Sequence, residues 1–126
     1  YPSAIGSELE ISHDSARHWQ TVMQGHAAAN IMPVIASNRI GTEHTSDNVH
    51  SMTFYGSSFI SNHLGELVCE ADRKSENIIT HSFDLNEISR YRRNWGVFRD
   101  RRPDLYEGIL SLDGNQTNKV DHANDS

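Results

Sequence analysis

One cysteine, eight histidines and a short serine-rich stretch are the groups in this sequence that could do chemistry, and their spacing favours no familiar catalytic or metal site. No two histidines have the four-residue spacing of a zinc hydrolase helix, and a lone cysteine supplies no thiolate pair. The stretch 56–60 starts like a serine nucleophile elbow, but Ile60 stands where that turn needs its second glycine. Cys69 lies in an alternating, strand-like stretch without a neighbouring base, so we interpret it as a packed strand residue. We therefore expect no metal, no cofactor and no catalytic residue among these groups.

Asn38 and Arg39 follow an apolar stretch that has the length of a buried strand. Open α/β sheets bind ligands at the carboxyl ends of their strands, so these two side chains could face a ligand. The alternative is that Asn38 only bonds the local backbone, as asparagine does at strand ends. The sequence alone leaves both interpretations of Asn38 open.

The arginines near the end of the chain form a second candidate site. Arg99, Arg101 and Arg102 could clamp an anion, because guanidinium groups bind anions in a bidentate way. Asp100 and Asp104 lie among them, however. We therefore favour an ion-pair network at an interface over an anion site.

Four histidines need a separate interpretation. His18 and His26 fall near one face of a predicted helix, where a packed, hydrogen-bonded histidine is more common than a metal ligand. His44 and His50 fall in a polar stretch and are expected to be solvated. Neither pair therefore indicates a metal centre.

The length and composition indicate a single soluble globular domain or part of one. The chain has 126 residues, of which 36% are hydrophobic and 22% are charged, and its formal net charge is -6. No apolar run is long enough to span a membrane, and the negative charge argues against a nucleic-acid surface. A single cysteine fits a reducing compartment, so we expect a cytoplasmic protein.

The element that must position these groups is a helix followed by a buried strand. Apolar residues recur at helical spacing over Ala16–Asn30, with Trp19, Val22, Met23 and Ala27 on the face expected to be buried, and Pro33 forbids continuation. Gly25 and the alanines after it make a flat face suited to close packing. The apolar run 31–36 is then a strand, which predicts half of a βαβ unit.

The remaining elements are predicted from local patterns. Residues 1–5 should end a strand, and 42–51 should be a polar loop. Asp84 followed by Glu87 predicts the start of a second helix that ends at Gly96. Short strands are expected near 53–55, 58–60, 66–70 and 77–83, and the residues 107–126 are expected to be a disordered tail.

Five stretches of the chain resemble the carbon-nitrogen hydrolase (nitrilase-like) family. The Asn-Arg-Ile-Gly sequence within 33–41 resembles the family as a whole. The aromatic-Gly-Ser-Ser sequence within 54–60 and the Trp-Gly-Val-Phe-Arg-Asp sequence within 95–106 resemble its N-carbamoylputrescine amidase branch. The other two stretches are 1–8 and 17–30. The resemblance covers 1–106 in order and is to the carboxyl-terminal part of the family domain.

This resemblance implies a fold and an activity. The fold would be α/β, the carboxyl-terminal half of a four-layer αββα sandwich, with 1–106 as the domain part. The family hydrolyses non-peptide C–N bonds with a Cys, a Glu and a Lys, and all three would lie before Tyr1. No catalytic residue is therefore expected in this chain, which alone should be inactive. The implied activity is conversion of N-carbamoylputrescine to putrescine, ammonia and carbon dioxide, as in polyamine synthesis; another amidase or carbamoylase, or a non-catalytic remnant that only binds or assembles, is the alternative.

The resemblance also assigns roles to particular residues. A small carbamoyl or amide substrate would be the ligand, and a homo-oligomer the expected assembly. The substrate pocket would be lined by Tyr1, Pro2, Ser3, Ala4 and Asn38. Subunit contacts would be made by His18, Trp19, Met23, Trp95, Phe98, Arg99, Arg102 and Tyr106.

Overall fold

Helix α1 spans Ala16–Asn30, with the bounds that its pattern predicts, in a computed structural model that describes residues 1–7, 13–110 and 112. Ser15 is the N-cap residue, and a carboxylate oxygen of Asp14 before it accepts the N–H of Ala16 at 3.0 Å. The helix ends at Ile31, which is left-handed (φ 47°), two residues before Pro33. The N–H of Met32 then returns to the Ala27 carbonyl at 3.1 Å, so hydrogen bonding of the last turn, rather than the proline, terminates the helix.

A four-stranded sheet lies beside α1. Its strands, in spatial order, are Pro2–Ser3 (β1), Val34–Asn38 (β2), Phe59–Ser61 (β5) and Leu67–Glu70 (β6). The strands Thr42–His44 (β3) and Ser51–Thr53 (β4) form a separate two-stranded sheet. β1 pairs with β2 in parallel, with Ser3 opposite Asn38, and the other two pairings of the four-stranded sheet are antiparallel. The predicted β1-α1-β2 crossover is therefore present, but β2 begins three residues later than the predicted strand 31–36, because Ile31 is the C-cap of α1, and it ends two residues later, at Asn38. The strand is also less buried than expected, since Ala36 is buried but Ile35 is 57% exposed.

The core between α1 and the sheet consists of Trp19, Ala36 and Phe59. The rings of Trp19 and Phe59 meet edge to face, with centroids 5.2 Å apart. The predicted buried face is partly wrong, because Val22 is 42% exposed. Gln20, which was not predicted to be buried, is buried instead, and its Nε2 donates to Oε1 of Glu70 at 3.0 Å.

His18 and His26 are exposed, so the expectation that they pack in the core is wrong. The buried positions of α1 are 16, 19, 20 and 27, and the two histidines lie beside this stripe rather than in it. His44 and His50 are exposed, as predicted. Cys69 is half-buried in β6, opposite Ile60, as a strand residue should be.

Two local predictions fail. The expected loop 42–51 contains the hairpin of β3 (Thr42–His44) and β4 (Ser51–Thr53), whose polar side chains face water on both sides and give no alternating signal. Conversely, 77–83 contains no strand, and Ile78 is 89% exposed. An apolar run there has the composition of a strand but no neighbouring strand to pair with among the described residues.

Helix α2 spans Leu85–Trp95, close to the predicted bounds. Oδ1 of Asp84 accepts the backbone N–H of Asn86 at 2.8 Å and that of Glu87 at 3.3 Å, as an N-cap should. Gly96 follows at φ 66°, the left-handed conformation in which a helix commonly ends. Neither helix of the described ranges is long and apolar enough to cross a membrane.

The chain divides into two compact units, Tyr1–Trp95 and Gly96–Ser126. The described part of the second unit contains two short 3-10 helices, Pro103–Leu105 and Glu107–Leu110. The first four residues of the predicted tail are therefore helical. The rest of that prediction falls on 111 and 113–126, which lie outside the described residues.

Candidate functional site

A cleft of about 280 Å³ opens at the carboxyl end of β2, where polar side chains were predicted to face a ligand. Ser37, Asn38 and Arg39 form one side of it, and Ser58 lies at the start of β5. The turn after β6 supplies the opposite side, which includes Asp72 and Glu76 among others. The cleft therefore lies at the sheet edge where α/β proteins bind ligands.

The side-chain amide of Asn38 is committed to backbone groups around this cleft. Its Oδ1 accepts the N–H of Ile5 at 2.8 Å. Its Nδ2 donates to the carbonyl oxygens of Ile5 at 3.0 Å and of Gly56 at 2.9 Å. The structure thus matches the backbone-bonding interpretation of Asn38, with the difference that its partners are 33 and 18 residues away rather than local.

The turn that leads into β5 is held in an unusual conformation. Gly56 and Ser57 both have positive φ, 58° and 53°. The N–H of Gly56 donates to the carbonyl of Arg39 at 2.9 Å, and that of Ser57 to the carbonyl of Asp72 at 3.1 Å. Ser58 Oγ accepts the backbone N–H of Asn38 at 2.9 Å. Backbone and side-chain hydrogen bonds therefore join three segments at one point.

Charges of both signs line the cleft. Arg39 forms an ion pair with Glu43 and lies 4.8 Å from the centroid of the Phe54 ring. The N–H groups of Lys74 and Ser75 donate to Asp72 and hold the pKa of its carboxyl below the ordinary value. Hydroxyl, amide and charged groups of this kind can bind a polar small molecule. Among the residues that line the cleft, none is a thiol or an imidazole that could attack it.

The other predicted pocket residues lie beside this cleft or away from it. Ser3 is the neighbour of Asn38 in the parallel ladder, and its Oγ is buried without a hydrogen-bond partner among the described residues. Pro2 and Ala4 are exposed. Tyr1 borders a different cleft, of about 380 Å³, at the opposite end of β2, together with Met23, His26 and Val34.

The residues expected at subunit contacts differ in their solvent exposure. Trp19 is only 7% exposed and belongs to the core of this chain, whereas Trp95 is 67% exposed. Met23 is half-buried, and His18, Phe98 and Tyr106 are exposed. In the second unit, Arg99 pairs with Asp100 and Arg102 with Asp104, so these ion pairs form between residues close in sequence.

A network that sequence reasoning missed joins the start of α1 to the turns around the cleft. Nη1 of Arg73 donates to Oδ2 of Asp14 at 2.6 Å, and its guanidinium lies 5.5 Å from the Tyr55 ring centroid. The Tyr55 hydroxyl donates to the carbonyl of His13 at 3.1 Å. Arg73 and Asp14 are 59 residues apart, so no local spacing could indicate the pair.

This network should make stability depend on pH. The hydrogen bond from Arg73 lowers the pKa of the Asp14 carboxyl below its ordinary value of 3.8, so the pair stabilises the fold above that value. The stabilisation is lost as the pH falls through the lowered pKa. Since both side chains are about half exposed, we expect Asp14→Asn to cost only about 0.5 kcal/mol at neutral pH. The Tm difference from wild type, measured from about pH 7 to pH 2, should shrink at the acid end.

Asp104→Asn is the control for that experiment, because Asp104 pairs with Arg102 only two residues away. Such a pair can form in the unfolded chain as well, so its removal should leave the pH dependence of the Tm unchanged. An Asp14→Asn deficit that stays constant from neutral to acid pH would contradict the proposed role of the Asp14–Arg73 pair.

The described residues contain no cluster of three or more histidine, cysteine, aspartate or glutamate side chains that could hold a metal ion.

Comparison with known proteins agrees with this fold. The carbon-nitrogen hydrolase family model matches residues 10–93, which is more than half of the chain. An N-carbamoylputrescine amidase of Arabidopsis thaliana is 55% identical over 118 residues, which are 91% of this chain and 40% of that protein. A citrullinase of Francisella tularensis is 53% identical over 111 residues, 87% of this chain and 38% of that protein.

A solved structure gives the same answer for the fold. The carbon-nitrogen hydrolase from Helicobacter pylori G27 superposes with a TM-score of 0.78 at 39% identity, over 87% of this chain and 39% of that one. The chain thus spans about 40% of the length of the relatives that it matches. Its α/β architecture is a partial nitrilase-like fold, as the sequence resemblance predicted. By both sequence and structure, the chain belongs to the carbon-nitrogen hydrolase family.

Proposed function

We propose that this chain is the carboxyl-terminal part of a hydrolase that cleaves the carbamoyl group of N-carbamoylputrescine, with water, to putrescine, ammonia and carbon dioxide. The observation that carries the proposal is the 55% identity to an N-carbamoylputrescine amidase across 91% of the chain. The polar cleft at the carboxyl end of β2 supports it, because a ureido group is recognised by amide, hydroxyl and backbone groups. The chain supplies one wall of the site in this proposal.

The chemical groups of the reaction would be supplied by residues before Tyr1. In the family, a Cys attacks the carbonyl carbon, a Glu moves the proton, and a Lys with a backbone N–H stabilises the oxyanion. Cys69 is a poor candidate for the nucleophile because it lies in the middle of β6, opposite Ile60. We therefore assign Cys69 no part in the reaction.

The assay that tests the proposal uses the complete protein, meaning the gene product that contains this chain. Ammonia release is measured with N-carbamoylputrescine, with citrulline and with a simple aliphatic amide. We expect the highest kcat/KM for N-carbamoylputrescine. A preference for citrulline would favour the second candidate, since the Francisella citrullinase is 53% identical. If none of the three substrates is turned over, the remaining candidate is a protein that only binds or assembles.

The 126-residue chain by itself should release no ammonia from any of these substrates. No cleft-lining residue is a thiol or an imidazole, and the family's three catalytic groups are assigned outside the chain. The same assay, run on the purified chain and on its Cys69→Ala variant, checks this. Ammonia release that Cys69→Ala abolishes would overturn the assignment of the catalytic groups.

We further propose that the complete protein is a homo-oligomer that uses the exposed face of α1. Four residues of α1 at alternating four- and three-residue spacing form what we term the α1 seam: His18, Val22, Gly25 and Ala29. An added Cβ at Gly25 would meet nothing within 4 Å, so this part of the helix is open in the single chain. The two small residues of the seam, Gly25 and Ala29, would let a second helix approach closely at that end of α1.

Substitution of Gly25 tests the α1 seam. Gly25→Ala should stabilise α1 by about 0.5–1 kcal/mol in the single chain, because alanine has the higher helix propensity and its methyl group meets no neighbour within that chain. Gly25→Leu should in addition shift the protein to smaller species, because the larger side chain separates the two helices. Size-exclusion chromatography with light scattering measures this, with Ser46→Leu on the exposed hairpin turn as the control. An unchanged mass for Gly25→Leu would exclude the α1 seam from the interface.

A further inference from the structure

We infer that Asn38 is a positioning residue for the proposed reaction: its amide fixes the backbone of two chain segments that frame the cleft, rather than bonding the substrate itself. This inference rests on the proposed function, which it extends by assigning a role to one residue. Of the two interpretations that the sequence leaves open, it takes the one in which the Asn38 side chain bonds the backbone, and it adds a role in the reaction.

The side-chain amide of Asn38 has almost no free hydrogen-bonding capacity. An asparagine side chain has two N–H donors and one carbonyl oxygen. Both donors of Asn38 are taken, by the carbonyl oxygens of Ile5 and Gly56, and the carbonyl accepts the Ile5 N–H. No donor is therefore left for a substrate, and the half-buried side chain could contact one only through the second lone pair of Oδ1.

The Asn38 amide adds to the contacts that hold its two partner segments. β1 is only two residues long, and the segment that follows it is also held by backbone hydrogen bonds to 53–55: the Tyr55 N–H donates to the Ile5 carbonyl at 3.0 Å, and the Ser7 N–H donates to the Thr53 carbonyl at 2.9 Å. Gly56 and Ser57 both have positive φ, and such conformations persist only when surrounding contacts enforce them. Asn38 contacts both segments through one rigid, planar group.

The bonds of Asn38 are linked to the cleft by their location. Asn38 and Ser58 line the cleft, and the Asn38 backbone bonds Ser58 Oγ through both its N–H and its carbonyl. Ile5 and Gly56 are not lining residues themselves, but a displacement of Ile5 would shift the Asn38 amide that bonds it, and a displacement of Gly56 would also shift Ser58, two residues later. Displacements of about 1 Å in a substrate-binding wall can reduce turnover by about 100-fold.

Asn62 provides a matched control within the same sheet. Its side chain also makes three hydrogen bonds, accepting from the N–H groups of Leu64 and Glu66 and donating to the Glu66 carboxylate. It is half-buried like Asn38, but it lies after the other end of β5, away from the cleft. Asn38 lies on β2 next to the start of β5, and Asn62 follows the end of β5. Asn38→Ala and Asn62→Ala thus remove the same number of side-chain hydrogen bonds near opposite ends of β5.

The experiment compares the two alanine variants in the complete protein, at a temperature where circular dichroism shows both to be folded. We expect Asn38→Ala to raise KM for the best substrate about tenfold and to lower kcat/KM by about 10- to 100-fold. Asn62→Ala should stay within about twofold of wild type. A purely structural role would instead reduce the active fraction, which lowers kcat and leaves KM unchanged. An unchanged KM for Asn38→Ala would overturn the inference.

Two further outcomes remain decisive. If the wild-type protein turns over no substrate, the proposed function fails, and amide hydrogen exchange at Ile5 decides the inference. Faster exchange of the Ile5 amide in Asn38→Ala, but not in Asn62→Ala, supports the inference. Equal exchange in the two variants overturns it. If Asn38→Ala does not fold, Asn38→Ser, whose hydroxyl can keep one bond, is measured by the same criteria. Failure of both variants to fold would overturn the inference, since Asn38 would then be a requirement of the fold alone.

Discussion

Phe59→Ala should lower the free energy of unfolding by about 3–5 kcal/mol. Phe59 has no exposed surface, and its ring packs edge to face on Trp19 with centroids 5.2 Å apart. The cavity cannot collapse easily, because Ala36 on the neighbouring strand is itself small and buried. Total stabilities of about 5–15 kcal/mol are usual, so much of the fold's stability depends on this ring.

Urea unfolding of the complete protein measures this loss. Phe59→Leu should cost about 1–1.5 kcal/mol, since it keeps most of the apolar volume. Ile78→Ala is the exposed control: Ile78 is 89% exposed, so its truncation should change the stability by no more than about 0.5 kcal/mol. Equal losses for Phe59→Ala and Ile78→Ala would contradict the assignment of the core.

Gly56→Ala should cost about 2–5 kcal/mol, for two reasons that add. Gly56 has φ 58°, a left-handed conformation that costs an L-residue about 1–2 kcal/mol. A Cβ there would also lie 2.7 Å from Cα of Arg73 and 2.9 Å from its carbonyl carbon. Those are backbone atoms, which cannot rotate away, and overpacking of this kind costs about 1–3 kcal/mol.

Gly41 separates the two contributions in the same assay. It also has positive φ, 83°, but a Cβ at Gly41 would meet nothing within 4 Å. Gly41→Ala should therefore cost only about 1–2 kcal/mol, the conformational part. If the two variants lose equal stability, the close approach of Gly56 to Arg73 contributes nothing, and that part of the argument is wrong.

Local patterns were sufficient to predict the two helices and the crossover between the parallel strands. The bounds of α1 follow from its apolar period, and those of α2 from the Asp84 cap and the left-handed Gly96. These signals lie within a few residues of the structure that they specify. For the same reason the sequence located the polar end of β2, and hence the cleft.

Features that depend on distant partners could not be predicted in this way. The polar hairpin of β3 and β4 has no alternating pattern, and the apolar run 77–83 has the composition of a strand without a partner. The bonds of Asn38 to Ile5 and Gly56 join segments that only the folded sheet brings together. The sequence therefore indicated where the cleft lies, but it did not indicate whether the Asn38 side chain faces a ligand or the backbone.

The order of strands in the sheet has a consequence for how the chain assembles. β5 and β6 are joined by a short turn that Asn62 closes with its own side chain, so this hairpin can form within microseconds from local contacts. β1 and β2 must instead enclose the whole of α1 before Ser3 meets Asn38, and closing that longer loop costs more entropy. We therefore expect the hairpin to form in the folding nucleus and the Asn38 junction to form later, so that loss of the Asn38 bonds would mainly speed unfolding.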